Sequence, residues 1–115
     1  GMKYLHWTIL GLVTLIMIPG GALKVLRMED ALLPFSQLNL PIWFALVIGI
    51  AEIAGAISIW ITRTRRIAAI GLAVIMVGAV YYHVRFPPVL GALPALCVFF
   101  ACLYILRQTW NGGRV

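Results

Sequence analysis

Charged side chains are scarce in this sequence. Only 10% of its 115 residues are charged, whereas 63% are hydrophobic. An ordinary globular domain is about a quarter charged and about half apolar. So few polar groups cannot cover the water-facing surface of a soluble domain. The composition therefore excludes an ordinary soluble protein and predicts one whose solvent is a lipid bilayer.

Acidic residues are the rarest of the charged ones. Three Asp and Glu stand against nine Lys and Arg, so the net charge is +6. In a soluble chain this excess would favour nucleic-acid binding. Here most basic residues lie between apolar runs, where they meet phospholipid head groups. We therefore expect the lipid bilayer as a partner and no nucleic acid.

The motifs of common catalytic and metal sites are missing too. The sequence has no Cys-x-x-Cys pair, no His-x-x-x-His pair, no glycine-rich phosphate loop and no Ser-His-Asp set. Cys97 and Cys102 are separated by about 140° around a helix, so they cannot form a disulfide within it and are expected to be packing residues. We predict no metal site and no catalytic residue. The missing motifs favour a protein without autonomous enzymatic activity and leave open an accessory role to an enzyme.

Long apolar runs are what the sequence has in abundance. A helix of about 20 apolar residues crosses the ~30 Å hydrocarbon core, and open sheets cannot face lipid because their backbone groups would go unsatisfied. We therefore predict an all-α protein, a transmembrane four-helix bundle that forms a single domain over residues 2–115. The predicted helices cover about residues 4–23, 42–61, 67–84 and 89–106. Gly1, before Met2, is interpreted as the remnant of a removed tag.

The connections between these runs differ in length. Residues 62–66 and 85–88 are short linkers, which predict antiparallel neighbouring helices. Residues 24–41 form a longer segment in which apolar and polar residues are interleaved, with Pro34 and Pro41 as expected breaks. This pattern predicts either a short interfacial helix that lies on the bundle or an ordered loop.

The basic residues predict the orientation in the membrane. Six lie on one side of the predicted bundle and three on the other, and the side with more bases faces the cytoplasm. We therefore expect a protein that crosses the inner (plasma) membrane several times, with both termini in the cytoplasm. The larger group is Lys3, Arg63, Arg65, Arg66, Arg107 and Arg114, and the smaller group is Lys24, Arg27 and Arg85.

Glu52 is the only charged residue between positions 42 and 61. It would lie about 13 to 15 Å from either membrane surface by helix rise. Its neighbours on the same helical face include Ala45, Gly49, Gly55 and Ala56, which favour close approach of another helix. A carboxylate at this depth costs about 2.5 to 3.5 kcal/mol on insertion scales. We therefore expect Glu52 to point into the bundle and to have a partner or a bound proton.

Lys24 and His83 are the candidate partners of Glu52. Both belong to the outer half of the predicted bundle, His83 about 10 Å and Lys24 about 15 Å above Glu52 by helix rise. This height argues against a direct contact between Lys24 and Glu52. The three residues predict a polar pocket, with Glu52 as its floor and residues 24–41 as its roof, that binds a ligand or a proton.

Each of these residues also has an ordinary structural interpretation. A buried Glu–Lys pair sometimes only fixes the register of two helices. Lys24 would then be a lysine that extends to the membrane surface from a helix end, and His83, close to Arg85, an interfacial residue. The sequence leaves both interpretations open.

The sequence contains the stretches PGGALKV (19–25), GIAEIAGAI (49–57) and GLAVIMVGAVYYH (71–83). In this order, they resemble the end of the first helix, the second helix and the third helix of the DoxX-like family of small bacterial four-helix integral membrane proteins. The resemblance covers about residues 5–86, and the last helix agrees only in being apolar. The family pattern carries onto Lys24, Glu52 and His83.

The resemblance implies a redox or accessory function. The family takes its name from a subunit associated with thiosulfate:quinone oxidoreductase, and relatives are described in redox assemblies and as accessory proteins for other membrane proteins. We therefore expect a quinone-like or lipophilic ligand around Glu52, and quinone is the one cofactor that the resemblance suggests. Alternatively, the protein is a subunit of a membrane redox assembly, with a membrane or redox protein as its partner. The alternatives are an interaction or chaperone-type subunit without small-molecule chemistry, and a minimal transporter that would require a homo-oligomer.

Overall fold

The chain folds into helices joined by short connections. A computed structural model describes residues 2–111, and within this range it contains α-helices, one 3₁₀ turn and no strand. The all-α prediction is confirmed. Gly1, interpreted as a tag remnant, and Arg114, counted for orientation, lie outside the described residues. The elements are α1 (Met2–Val25), α2 (Glu29–Gln37), α3 (Ile42–Ser58), α4 (Arg65–Arg85), the 3₁₀ turn (Val89–Gly91) and α5 (Ala92–Asn111).

Three helical segments are long and apolar enough to cross a membrane. They are Lys3–Val25, Arg65–Arg85 and Val89–Trp110. The predicted helix over residues 42–61 corresponds to α3, which passes the same test only together with α2, and these two helices meet at a bend of 120°. With 17 residues, α3 alone spans about 25 Å. Length and composition thus give three candidate spans, or four if the bent pair is one span.

The second predicted helix ends earlier than expected, at Ser58 rather than at residue 61. Side chains from the following turn take its last carbonyl groups. Thr64 Oγ1 donates to the Ser58 carbonyl over 2.8 Å, and Arg65 Nε donates to the Ile59 carbonyl over 2.6 Å. These hydrogen bonds replace the next helical turn and so end α3.

The long helices form a closed ring of contacts. α1 packs on α3 and α5, and α4 packs on the same two helices, while α2 lies against α1 and α3. α1 and α3 run antiparallel, since Gly21 meets Gly49 at one end and Trp7 stacks on Trp60 at the other. The fully buried centre of the ring includes Leu10, Val13, Ala69, Leu72, Val98, Cys102 and Ile105.

The outer faces of the helices are as apolar as the centre. Leu15, Ile67 and Val74 are exposed to about two thirds or more, and they belong to a large set of exposed aliphatic and aromatic side chains. A protein surface of this kind is suited to lipid rather than to water. Both cysteines were expected to be packing residues; Cys102 is buried in the core, whereas Cys97 belongs to this outer face.

The segment between the first two long helices is itself helical. α2 begins with Glu29 and Asp30, whose negative charges interact favourably with the N-terminus of a helix. Of the two alternatives left open by the sequence, the short helix is the one formed. The expected break at Pro34 is wrong, since Pro34 lies inside α2, whereas Pro41 immediately precedes α3.

Candidate functional site

Two glycines bring the backbones of α1 and α3 into contact. A Cβ atom added to Gly21 would lie 2.6 Å from the Gly49 carbonyl oxygen, and one added to Gly49 would lie 2.8 Å from the Lys24 Cβ. No side chain larger than hydrogen fits at either position without a shift. This close approach places the end of α1 beside the middle of α3.

Lys24 and Glu52 form an ion pair across this contact. The distance from Lys24 Nζ to Glu52 Oε1 is 2.7 Å, and the two side chains are 18% and 4% exposed. Lys24 Nζ also lies 3.5 Å from the Gly20 carbonyl. Within residues 2–111 this is the one ion pair that the structure contains.

The expected separation of about 15 Å between Lys24 and Glu52 is therefore wrong. That estimate placed the end of α1 level with the beginning of α3. In the structure, Lys24 lies beside Gly49, which is about 10 Å along α3 from Ile42 by helix rise. Helical side chains also lean toward the N-terminus of their own helix. In an antiparallel pair, Lys24 and Glu52 lean toward each other, which closes the remaining gap.

The ion pair lies on the wall of a cavity of about 400 Å³. α2 covers one side of the cavity, and α3 and α4 form the others. Lys24 and Glu52 are the only charged residues among the described lining residues, so the wall is far more apolar than the predicted polar pocket. The lining residues are Lys24, Ala31, Pro34, Phe35, Leu38, Leu40, Phe44, Ile48, Glu52, Val74, Ile75, Gly78, Ala79 and Tyr82.

The cavity reaches the outer surface of α4. Val74 lines the cavity and is also 66% exposed on the outer face. Gly78 lies one turn further along, and a Cβ atom added there would meet nothing within 4 Å. The cavity is therefore open at α4, toward the apolar outer surface of the protein.

Comparison with known proteins assigns the family. The family model described as the DoxX-like family matches residues 8–106. The chain belongs to the DoxX-like family. The resemblance read from three sequence stretches is thus confirmed, and the match extends beyond residue 86 into α5. Family membership and the apolar helices together make it a membrane protein in contact with the lipid bilayer.

A relative of this DoxX-like protein is found in Bacillus subtilis (strain 168). The chain is 31% identical over 97 residues to the uncharacterized protein YdgD, and the alignment covers 78% of this chain and 85% of YdgD. No solved structure matches the chain.

Of the three residues singled out in this DoxX-like sequence, two line the cavity and one does not. Lys24 and Glu52 lie together on its wall, whereas His83 is absent from the lining. The His83 ring packs instead against Gly91 in the 3₁₀ turn, where an added Cβ would lie 2.5 Å from His83 Nδ1. The expectation that His83 belongs to the same pocket as Glu52 is not met by this geometry.

Tyr82 takes the place on the wall that was expected for His83. Its hydroxyl donates a hydrogen bond to Gln37 Oε1 and so joins α4 to α2. Phe35 and Phe44 add two further aromatic rings, which meet edge to face with centroids 6.1 Å apart. Sequence reasoning missed these residues. Tyr82 directly precedes His83, but successive helical residues point about 100° apart, so the two side chains face different directions.

A second buried polar cluster lies at the opposite end of the DoxX-like fold. Arg65 and His6 are each 2% exposed. Besides its hydrogen bond to the Ile59 carbonyl, Arg65 places Nη2 3.5 Å from the Trp60 carbonyl. Its guanidinium group thus offsets the partial negative charge of the carbonyl groups at the C-terminus of α3. Arg65 thus caps a helix end from the interior and does not meet head groups, as most of the basic residues are expected to do.

Proposed function

We propose that this DoxX-like membrane protein binds a lipophilic molecule with a polar head group, such as a quinone, in the cavity at Lys24 and Glu52. The single observation that carries the proposal is the buried ion pair on the wall of an otherwise apolar cavity of about 400 Å³. Binding sites for small molecules typically combine an apolar wall with a few convergent polar groups. The cavity has this combination.

The chemistry of the wall supports a ligand with an oxygen-bearing head. Lys24 carries three N–H groups and uses two of them, for Glu52 Oε1 and the Gly20 carbonyl, so one remains for a carbonyl or hydroxyl oxygen. Glu52 Oε2 receives no hydrogen bond from the described residues and can accept one from a hydroxyl. Phe35, Phe44 and Tyr82 offer faces for a planar ring.

The membrane arrangement is part of the same proposal. A transmembrane four-helix bundle of one domain would count α2 and α3 together as its fourth span, supported by the ring of contacts among α1, α3, α4 and α5. The excess of bases at the ends near Lys3 and Arg107 supports cytoplasmic termini in an inner (plasma) membrane. A C-terminal fusion to a fluorescent protein that matures only in the cytoplasm tests this orientation, and a dark fusion would reject it.

We propose that ligand binding serves a membrane redox assembly in which this chain is a subunit. The family resemblance supports this role. Glu52 and Lys24 would exchange hydrogen bonds or a proton with the bound head group, and His83 is left out of this step because its ring lies against Gly91. An interaction subunit without a ligand would keep the ion pair only to hold α1 against α3.

A thermal-shift titration with a short-tailed benzoquinone tests the binding function. A ligand at 100 times its dissociation constant stabilises the folded state by about 2.7 kcal/mol. We expect the melting temperature of the wild type to rise by several degrees and Glu52→Gln to lose most of this rise. Asp30→Asn, which alters an acid outside the cavity, should respond like the wild type. Flat responses from all three proteins would leave the interaction subunit as the better description.

A further inference from the structure

The cavity carries no net charge before any ligand arrives. Lys24 and Glu52 neutralise each other over 2.7 Å, and the other lining residues are aliphatic, aromatic, proline or glycine. A site for an anionic lipid would present a lysine or arginine without an acidic partner. Here the cation of the site already has its anion.

We propose that the cavity selects neutral amphiphiles, whose head groups carry a carbonyl or hydroxyl oxygen, and rejects anionic ones with the same hydrocarbon chain. This inference rests on the proposed function, since it names the class of ligand that the same site accepts. Fatty acids and anionic phospholipids are thereby excluded as ligands of the cavity.

An anionic head group would bring a second negative charge to a site that holds one ammonium group. If it accepted the spare N–H of Lys24, it would lie beside the Glu52 carboxylate; if it took the ammonium from Glu52, the 4% exposed carboxylate would lie unpaired. Separating a buried ion pair leaves an uncompensated charge, which is strongly unfavourable. A neutral oxygen needs only a spare N–H of Lys24 and leaves the pair intact.

Lys24 cannot easily leave Glu52 to meet an anion elsewhere. Its Cβ is held against the backbone of Gly49, and its Nζ lies near the Gly20 carbonyl as well as Glu52. The ammonium group therefore stays at one end of the cavity. The charge of the site is fixed by the same close helix contact that forms the pair.

Two isosteric probes test this selectivity. An alkyl sulfonamide and an alkyl sulfonate of equal chain length have head groups of the same shape but differ by one negative charge at neutral pH. Each carries a photoactivatable diazirine in the chain and is titrated into the full-length protein in phosphatidylcholine nanodiscs. The measured quantity is the concentration that half-saturates labelling of the lining residues in α2 and α4, found by peptide mass spectrometry.

We expect the sulfonamide to half-saturate labelling at a concentration at least tenfold lower than the sulfonate. Glu52→Gln removes the negative partner and leaves Lys24 unpaired, so the order should reverse. Lys24→Gln removes the cation that an anionic head group would need, so the preference for the sulfonamide should be kept or grow. These contrasting outcomes separate charge selection from a merely structural effect of the substitutions, and the second variant serves if the first does not fold.

The outcomes distinguish the two proposals. Saturable labelling of the wild type by both probes at equal concentrations would overturn charge selection and leave the binding function standing. Non-saturable labelling by both probes would overturn the binding function as well. A lower half-saturating concentration for the sulfonate in the wild type would show that the cavity prefers anions.

Discussion

At the scale of single residues, the candidate site depends on two glycines that carry no functional group. Gly21 and Gly49 let α1 and α3 touch through their backbones, and the Lys24–Glu52 pair forms beside this contact. Small residues at such crossings increase van der Waals packing between membrane helices. The ion pair then adds a charged link at the same level.

Gly21→Ala should destabilise the protein, whereas the neighbouring Gly20→Ala should not. The new Cβ at Gly21 would lie 2.6 Å from the Gly49 carbonyl oxygen and 2.8 Å from Ile53 Cγ1, so the helices must separate. Overpacking of this kind costs about 1–3 kcal/mol. A Cβ at Gly20 meets nothing within 4 Å, and Gly→Ala in a helix otherwise gains about 0.5–1 kcal/mol.

Thermal unfolding in detergent measures both variants. We expect a melting temperature several degrees below the wild type for Gly21→Ala and one equal to or above it for Gly20→Ala. Equal melting temperatures for the two variants would mean that the close contact does not contribute to stability.

The inward direction of Glu52 was predictable, but its contact with Lys24 was not. A single charge among small residues between positions 42 and 61 has one economical place, on the face toward another helix. The relative height of two helices, by contrast, depends on which residues allow close packing. Gly21 meets Gly49 rather than a residue near Ile42, and the sequence alone does not show this choice.

At the scale of elements, α2 is the part of the fold that covers the cavity. It contacts α1 and α3, and its Phe35 ring meets Phe44 of α3 edge to face. A side-chain hydrogen bond from the Tyr82 hydroxyl to Gln37 Oε1 joins it to α4. Because α2 has nine residues and none of them is fully buried, tertiary contacts rather than helix length hold it in place.

Tyr82→Phe should loosen α2 without disturbing the long helices. The substitution keeps the ring but removes the hydroxyl that joins α4 to α2, so α2 should open more often. Tyr81→Phe is the matched control, since the Tyr81 hydroxyl accepts a hydrogen bond from Arg85 on its own helix. Hydrogen exchange measured by mass spectrometry reports the amides of both regions.

We expect faster exchange in residues 29–37 for Tyr82→Phe alone, with unchanged exchange in α4. A net hydrogen bond contributes about 0.5–1.5 kcal/mol, which corresponds to roughly a two- to tenfold faster exchange. Unaltered exchange of α2 in Tyr82→Phe would show that the hydrogen bond does not hold this helix.

The sequence identified the segment of α2 but not its structure. Alternating apolar and polar residues before Pro41 are compatible with a helix or a loop, and Pro34 argues for a break. Inside α2, proline costs one hydrogen bond, and Pro34 together with Phe35 is placed where both can line the cavity. Packing of this kind outweighs the local preference of one residue.

At the scale of the whole molecule, the cavity is a product of several elements. α2, α3 and α4 each supply part of the wall, and α1 supplies Lys24. Composition and apolar runs were sufficient to predict a helical membrane protein, because the bilayer leaves few other choices. The space between the helices depends on their tilts and rotations. Sequence spacing therefore could not predict that Tyr82, rather than His83, lies on the cavity wall.

Occupation of this cavity by a ligand is the central claim, and Gly78 offers the sharpest test of it. Gly78 lines the cavity, and Gly71 lies about two turns away on the same helix outside it. At both positions an added Cβ meets nothing within 4 Å, so neither leucine begins with a clash at the helix backbone. At Gly78 alone, the leucine would extend from the cavity wall.

Native mass spectrometry of the wild type, Gly78→Leu and Gly71→Leu, each titrated with a short-tailed benzoquinone, makes this test directly. We predict one bound molecule per chain for the wild type and for Gly71→Leu, and at least tenfold weaker binding for Gly78→Leu. Binding to Gly78→Leu as tight as to the wild type would contradict the assignment of the cavity as the ligand site.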